Sequence, residues 1–383
     1  MNRTPIEDKT AIAGIAWTKI SRASGKSVMA LAAEACLGAI EDAGLTVRDV
    51  DGFVEYQSND SVGTMDVADV LGVPRINWYT DIRGGGNYGS GSVMLAAMAV
   101  ASGACEVCVV YRALNGRSGH RFGRDAPTTQ GRREQWMLPY GYMVPPQWLA
   151  MWCRTHMAKY GTTYEHLGAI AVTQRHNATL NPRAIFQRPM TMEDYLAARW
   201  INDPFRLFDC TAEVDGACAV VVTTAERARS LRHKPVYIKG FAYGTQGRPS
   251  WEHWDDMSEM YARYIGQQLW QRTGLTAKDV DVAEIYDCFT YSLLGQLEGY
   301  GFCKTGEGGP FCASGAISLT GQIPTNTHGG LLSEGYIHGM NHNCEAVSQL
   351  RGDAGPRQVK GARVAMVTGG AGPHGGALIY HTK

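Results

Sequence analysis

The feature that most limits what this chain can fold into is an order of strands and helices that runs through its first half and then starts again. Residues 11–17 are a short apolar run of strand type. Residues 27–43 place Val28, Leu31, Ala35 and Ile40 at helical spacing, with Ser27 as a cap and Gly44 as a stop. Strand 50–56, helix 65–71, a glycine-rich turn at 81–91, helix 92–103 and strand 107–111 follow, and 218–222 reads as a buried strand closing this half. The order restarts with strand 236–241, helix 258–274, strand 280–286 and another helix, and ends on strands 362–367 and 377–381. Strands that are continuously apolar, not alternating, belong to sheets covered on both faces. The expectation is an α/β protein of two similar halves, 1–232 and 233–383, since 383 residues exceed one ordinary core.

Between these runs, about 112–206 breaks the alternation with polar turns, clustered aromatics and a helix-like stretch at 148–160. It reads as an inserted loop domain covering a site. Arginine is nearly unopposed over 112–133, and Arg117, Arg121, Arg124, Arg132 and Arg133 read as solvated surface unless an anionic ligand calls on them.

Charge and cysteine content exclude several classes. Lys plus Arg and Asp plus Glu are equal at 36 each, so no global field favours nucleic acid or an anionic membrane. No run of about 18 apolar residues is present, so no membrane span is expected. The ten cysteines are scattered, many in apolar runs, with no secretory start and no peroxisomal ending, which implies a reducing cytoplasm and buried thiols. Cys105 and Cys108 have CxxC spacing but run into a strand and read as core. Residues 84–91 have the wrong spacing for a dinucleotide loop, so NAD is set aside. His338 and His342 are the nearest approach to metal-ligand spacing, and their glycine-containing loop argues against a metal.

The most site-like stretch is 326–340, Asn-Thr-His-Gly-Gly-Leu-Leu-Ser-Glu-Gly-Tyr-Ile-His-Gly-Met, whose glycines allow close backbone approach. It resembles the Asn-x-x-Gly-Gly…Gly-His-Pro-x-Gly loop of thiolases of the sterol-carrier-protein type. Residues 156–186, 203–219 and Tyr286-Asp287-Cys288-Phe289 extend the resemblance over nearly the whole chain. It implies the thiolase fold: two α/β halves stacked as five layers (αβαβα), an inserted loop domain, and a homodimer formed through the first half.

The catalytic positions of the family are vacated. Tyr88 stands where the nucleophilic cysteine belongs, Tyr286 replaces the histidine of His-Asp-Cys-Phe, Tyr336 replaces that of Gly-His-Pro, and the C-terminal Cys-x-Gly-Gly reads Gly369-Gly370-Ala371-Gly372. Without a thiolate, acyl transfer has no evident carrier.

This pattern is similar to the aldolases of bacterial steroid side-chain degradation in the same family. The resemblance implies retro-aldol cleavage of a steroid β-hydroxyacyl-CoA to a ketone and a short acyl-CoA such as propionyl-CoA. Tyr286 and Tyr336 are the expected proton-handling pair, with the base and acid roles left open. Tyr88, Asp287, His328, His338 and the backbone of Gly369, Gly370 and Ala371 are expected to support them. Arg121, Arg124 and His374 are candidate substrate contacts. No cofactor is expected beyond the CoA of the substrate. A partner with an OB-fold and a zinc ribbon, associated with an enoyl-CoA hydratase, would hold any zinc. Two rivals stand beside this reading: an acyltransferase using Cys288 or Cys344, and a non-catalytic acyl-CoA or lipid-binding subunit.

Overall fold

A computed structural model describes residues 6–119, 121 and 134–383. Along the chain β1 (Thr10–Trp17), α1 (Val28–Asp42), β2 (Gly52–Gln57), α2 (Thr64–Leu71), β3 (Trp78–Arg83), α3 (Tyr88–Ser102) and β4 (Val107–Asn115) alternate. The intervening segment holds α4 (Glu134–Met137), α5 (Pro145–Tyr160), α6 (Tyr164–Thr179), α7 (Met192–Ala197) and a small hairpin, β5 (Trp200–Asn202) with β6 (Phe205–Arg206). After β7 (Asp215–Thr224) and α8 (Ala225–Ala228), the second run comprises β8 (Val236–Gly244), α9 (Ala262–Thr273), β9 (Val282–Glu284) and α10 (Thr290–Gly299). It ends with α11 (Gly308–Ala313), α12 (Gly330–Ser333), α13 (Met340–Arg351), β10 (Val364–Ala371) and β11 (His374–His381).

Nine strands form one hydrogen-bonded order, β3-β2-β4-β7-β1-β8-β11-β10-β9. Its two arms meet only where Ala11 and Ile12 face Tyr237 and Val236. Outward from that junction each arm repeats the same pairing. An antiparallel neighbour (β7 or β11) is followed by another (β4 or β10) and then by a parallel one (β2 or β9). Among the described residues only the first arm adds a further strand, β3.

The helices make the layers. α1 packs on β1, β4 and β7, while α9 packs on β8 and β11. Between the arms lie α3 and α13, each touching strands of both. That central position explains the composition of α3. A helix covered on two faces is apolar all round, and here it is built from Val93, Ala96, Ala97 and Val100, all buried. Its start differs from the sequence reading: the helix begins at Tyr88, so Gly89 and Gly91 form its first turn instead of a preceding loop. A side chain at Gly89 would lie 2.8 Å from the His338 carbonyl, so close packing dictates glycine there. Two other readings shift. The expected strand 280–286 ends at Glu284, leaving Tyr286 on the segment beyond it, and β4 continues to Asn115, placing Arg112 in the sheet and not in the insertion.

All ten cysteines are free thiols, with Cys105 and Cys108 buried. Among the described residues no helix is long and apolar enough to cross a membrane.

The approach of β1 to α1 gives a direct test of the packing. A Cβ at Gly14 would meet the Ala39 carbonyl oxygen at 2.0 Å. Gly14→Ala is expected to lower stability by about 1–3 kcal/mol through overpacking, measured as a reduced urea midpoint.

Candidate active site

Both halves and the inserted segment deliver residues to one cavity of about 880 Å³, within the size range of small-molecule sites. The first half contributes Gly85–Asn87 at the start of α3. The second contributes Tyr286, Tyr336 and His338, with Gly370, Ala371 and His374 from the tight β10–β11 hairpin. The inserted segment supplies an apolar wall that includes Trp148, Leu149, Phe186 and Phe208.

On this cavity the hydroxyls of Tyr286 and Tyr336 lie 2.8 Å apart. Tyr286 is pinned by its backbone: its N–H donates to Thr368 Oγ1 at 2.9 Å, and its carbonyl accepts from Gln296 Nε2 at 2.8 Å. Its ring occupies a slot made by absent side chains. A Cβ at Gly86 would fall 1.8 Å from the Tyr286 hydroxyl, and one at Gly339 3.0 Å from the ring. Tyr336 is held through its N–H, which donates to the Ala212 carbonyl at 2.9 Å. Burial pushes the Tyr286 phenol well above its ordinary range, with Tyr336 adding to the effect. Burial, with nearby Cys288, also raises Tyr336 despite the opposing hydrogen bond from Tyr286 and the Arg112 charge. Both are therefore neutral phenols at neutral pH, able to donate or relay a proton but not to act as standing phenolate bases.

His338 lines the same cavity, its ring edge-on to Tyr336 with centroids 4.6 Å apart. Arg112, wholly buried, directs Nε and Nη2 at His338 Nδ1 at 3.2 and 2.8 Å and pairs with Asp60 through Nη2. The sequence reading placed Arg112 at the start of the inserted segment. The signal against that reading was its place inside the apolar stretch Val107–Leu114.

A family profile described as "Thiolase C-terminal domain-like" matches residues 245–381. The chain is 42% identical to the "Steroid side-chain-cleaving aldolase" of Thermomonospora curvata, over 96% of this chain and 97% of the relative. It is 41% identical to the "17-hydroxy-3-oxo-4-pregnene-20-carboxyl-CoA lyase" of Mycobacterium tuberculosis, over 98% and 99% of the two chains. The chain belongs to the thiolase-like family. A solved "Ltp2-ChsH2(DUF35) aldolase" superposes on this family member with a TM-score of 0.92, at 41% identity and 98% coverage of both chains.

In this thiolase-like chain the remaining expected site residues fall into three groups. Tyr88 does not line the cavity; its ring packs on Tyr243 at 5.7 Å, and its N–H and that of Gly89 bond to the carbonyls of Gly85 and Gly86. Gly369 lies behind the lining residues, where its carbonyl accepts the Tyr261 hydroxyl at 2.9 Å. Arg121 reaches the cavity but donates to Glu213 Oε2 through Nε at 2.7 Å and through Nη2. The other arginines on the cavity among the described residues, Arg22, Arg117 and Arg199, are exposed. Burial lowers His374. Arg124, Arg132 and Arg133 lie outside the described residues.

Asp287 and His328 form the third group, a buried charged cluster behind the tyrosines. Asp287 turns inward and accepts the Leu331 N–H at 2.9 Å, fixing the start of the loop that carries Tyr336. His328 Nδ1 lies 3.0 Å from Glu284 and its Nε2 3.4 Å from Glu334, with His342 Nδ1 at 3.2 Å. The histidine pair is thus 328 with 342, while His338 faces Arg112. Glu284, His328 and His342 each bring a donor atom within 4.8 Å of the others, the one such group among the described residues that could hold a metal ion.

Two thiols, Cys210 and Cys288, lie on the cavity. Burial pushes Cys288 up to about 12, Ser292 only partly opposing it, so its thiolate is scarce at neutral pH. Cys344 instead sits in the central layer, its thiol directed at the Ala219 carbonyl.

Burial alone would lower His328, but Glu334 and Glu284 outweigh it and bring it up to about 9. With the folded pKa above the unfolded one, its contribution to stability is complete below about pH 6.5 and is lost as pH rises through about 9. The urea midpoint should fall across that window more steeply in the natural protein than in His328→Gln.

Proposed function

We propose that this protein is an aldolase that cleaves a steroid 17-hydroxy side-chain CoA thioester to a 17-keto steroid and propionyl-CoA. The observation that carries the reading is the 2.8 Å contact between the two phenols on a cavity large enough for a rigid ring system. The full-length likeness to proteins named as a steroid side-chain-cleaving aldolase and a 17-hydroxy-3-oxo-4-pregnene-20-carboxyl-CoA lyase supports it.

The balance of the reaction suits the site. The bond between Cα and the hydroxyl-bearing carbon breaks, and its electron pair passes into the thioester enolate. The hydroxyl O–H pair becomes the second bond of the ketone, and the proton ends on Cα. Neither water nor free CoA is consumed. Because neither tyrosine is a standing base, the proton moves through the pair. One phenol accepts the hydroxyl proton as the other releases its own toward the enolate, so no buried phenolate accumulates. Beyond the carbon–carbon cleavage itself the step requires only proton movement, and we assign no cofactor to it.

Trp148, Leu149 and Phe208 offer the steroid an apolar wall, while Arg22, Arg117 and Arg199 offer charge for the phosphates of CoA. From the resemblance we propose a homodimer, and from the scattered, mostly buried cysteines a cytoplasmic location. We also expect it to pair with an OB-fold/zinc-ribbon protein associated with an enoyl-CoA hydratase, a partnership that the solved Ltp2-ChsH2(DUF35) aldolase supports. The acyltransferase rival gains nothing from Cys288, whose thiol stays protonated, or from Cys344, which is turned away from the cavity.

Tyr286→Phe and Tyr336→Phe should each bind substrate and lose about 10²–10⁴-fold in kcat, the range expected when a positioned acid or base is removed. Product release followed by mass spectrometry and binding by calorimetry check this. Turnover retained in both variants contradicts the assignment, and binding without turnover in the natural protein favours the carrier reading.

A further inference from the structure

The partners of Arg112 show what a buried cation does behind this cavity. An uncompensated guanidinium in the interior is strongly destabilising, so each of its donors needs an acceptor. Nη1 donates to the Ala113 carbonyl at 2.9 Å, Nη2 donates to Asp60, and Nε and Nη2 converge on His338 Nδ1. A guanidinium has no lone pair to offer. His338 Nδ1 must therefore accept, and its imidazole proton sits on Nε2.

We infer that Arg112, held by Asp60, is a positioning residue that fixes His338 as a neutral Nε2–H donor for the oxygen on which negative charge develops during cleavage. The inference rests on the aldolase reading for the identity of that oxygen, the thioester oxygen of the enolate.

The backbone is arranged to the same end. His338 has φ +49°, a left-handed conformation that is strained for a residue bearing a side chain. The Tyr56 hydroxyl holds it there by donating to its carbonyl at 2.8 Å. Among the described residues, the charged and titratable groups facing the ring include Arg112 on β4, Asp60 in the segment after β2, Tyr56 on β2, and Tyr336 in its own loop. Burial and the Arg112 charge lower His338 to about 3, against the opposing effect of Asp60, so the ring stays neutral. A neutral donor already in place stabilises developing charge without reorganising at the moment of reaction.

The test is long-range ¹H–¹⁵N spectroscopy of the full chain labelled at histidine, from about pH 5 to about pH 8, where ordinary histidines titrate. It is paired with kcat and KM for His338→Ala, His338→Gln and Arg112→Lys. The natural protein should show His338 as the Nε2–H tautomer with no titration. His338→Ala should lose about 10²–10³-fold in kcat with KM little changed, and His338→Gln, which keeps an N–H donor, should recover at least about tenfold of that loss. Arg112→Lys retains the charge facing Asp60 but not the two-pronged contact with Nδ1, and its kcat should gain an acid limb absent from the natural protein. An Nδ1–H tautomer, titration of His338 in the natural protein, or unchanged kcat in His338→Ala overturns the inference. If the natural protein cleaves no hydroxyacyl-CoA, the aldolase reading falls and takes with it the oxygen assigned to His338, while the spectra still decide the tautomer.

Discussion

The hydrogen bond between the Tyr286 and Tyr336 hydroxyls exists only because several loops come to one point without side chains in the way. Tyr286 follows β9, Tyr336 precedes α13, and Gly86 stands at the head of α3 in the other half. A methyl group at Gly86 would occupy the position of the Tyr286 hydroxyl itself. The doubled sheet is what makes the meeting possible. α3 and α13 lie between its two arms, and their N-terminal ends bring the loop of each half to the same cavity. Small residues in α3 let the arms approach, and that approach sets the position of the phenols.

The same burial decides the chemistry. In a low-dielectric site the charged form of a phenol is penalised, so both tyrosines stay neutral, and in the proposed reaction the pair would work as a relay. A site that must manage negative charge with neutral groups needs its donors placed in advance. The structure meets this need from behind the cavity. Arg112 and Asp60 fix one ring, and the cluster of Glu284, His328, Glu334 and His342 with Asp287 fixes the loop that carries Tyr336. Buried ion pairs are weak sources of stability because desolvation offsets their attraction. Their value here lies in holding one geometry.

The repeated order of strands and helices, the insertion and the two tyrosines were legible in the sequence, because periodicity, glycine placement and family position are local properties. The environment of each residue was not. Arg112 and His338 are separated by 226 positions, and nothing near either one announces the other. Asp287 sits beside Tyr286 in sequence yet faces the opposite way, toward the Leu331 N–H. Tyr88 occupies the nucleophile position of the family but packs on Tyr243 away from the cavity, a consequence of α3 beginning one turn earlier than its glycines suggest. His328 was expected near the chemistry and lies one layer behind it, where its charge matters to the carboxylates around it.

The central claim is that this thiolase-fold cavity breaks a carbon–carbon bond by moving protons, without an acyl-enzyme. The most direct measurement is a complete product balance for a tertiary β-hydroxyacyl-CoA of a steroid, in the absence of free CoA, with mass spectrometry of both the small molecules and the intact protein. The account predicts equal amounts of ketone and shortened acyl-CoA, with the CoA of the substrate retained in the product and the protein mass unchanged. A requirement for free CoA, or an acyl adduct on Cys288, would contradict it.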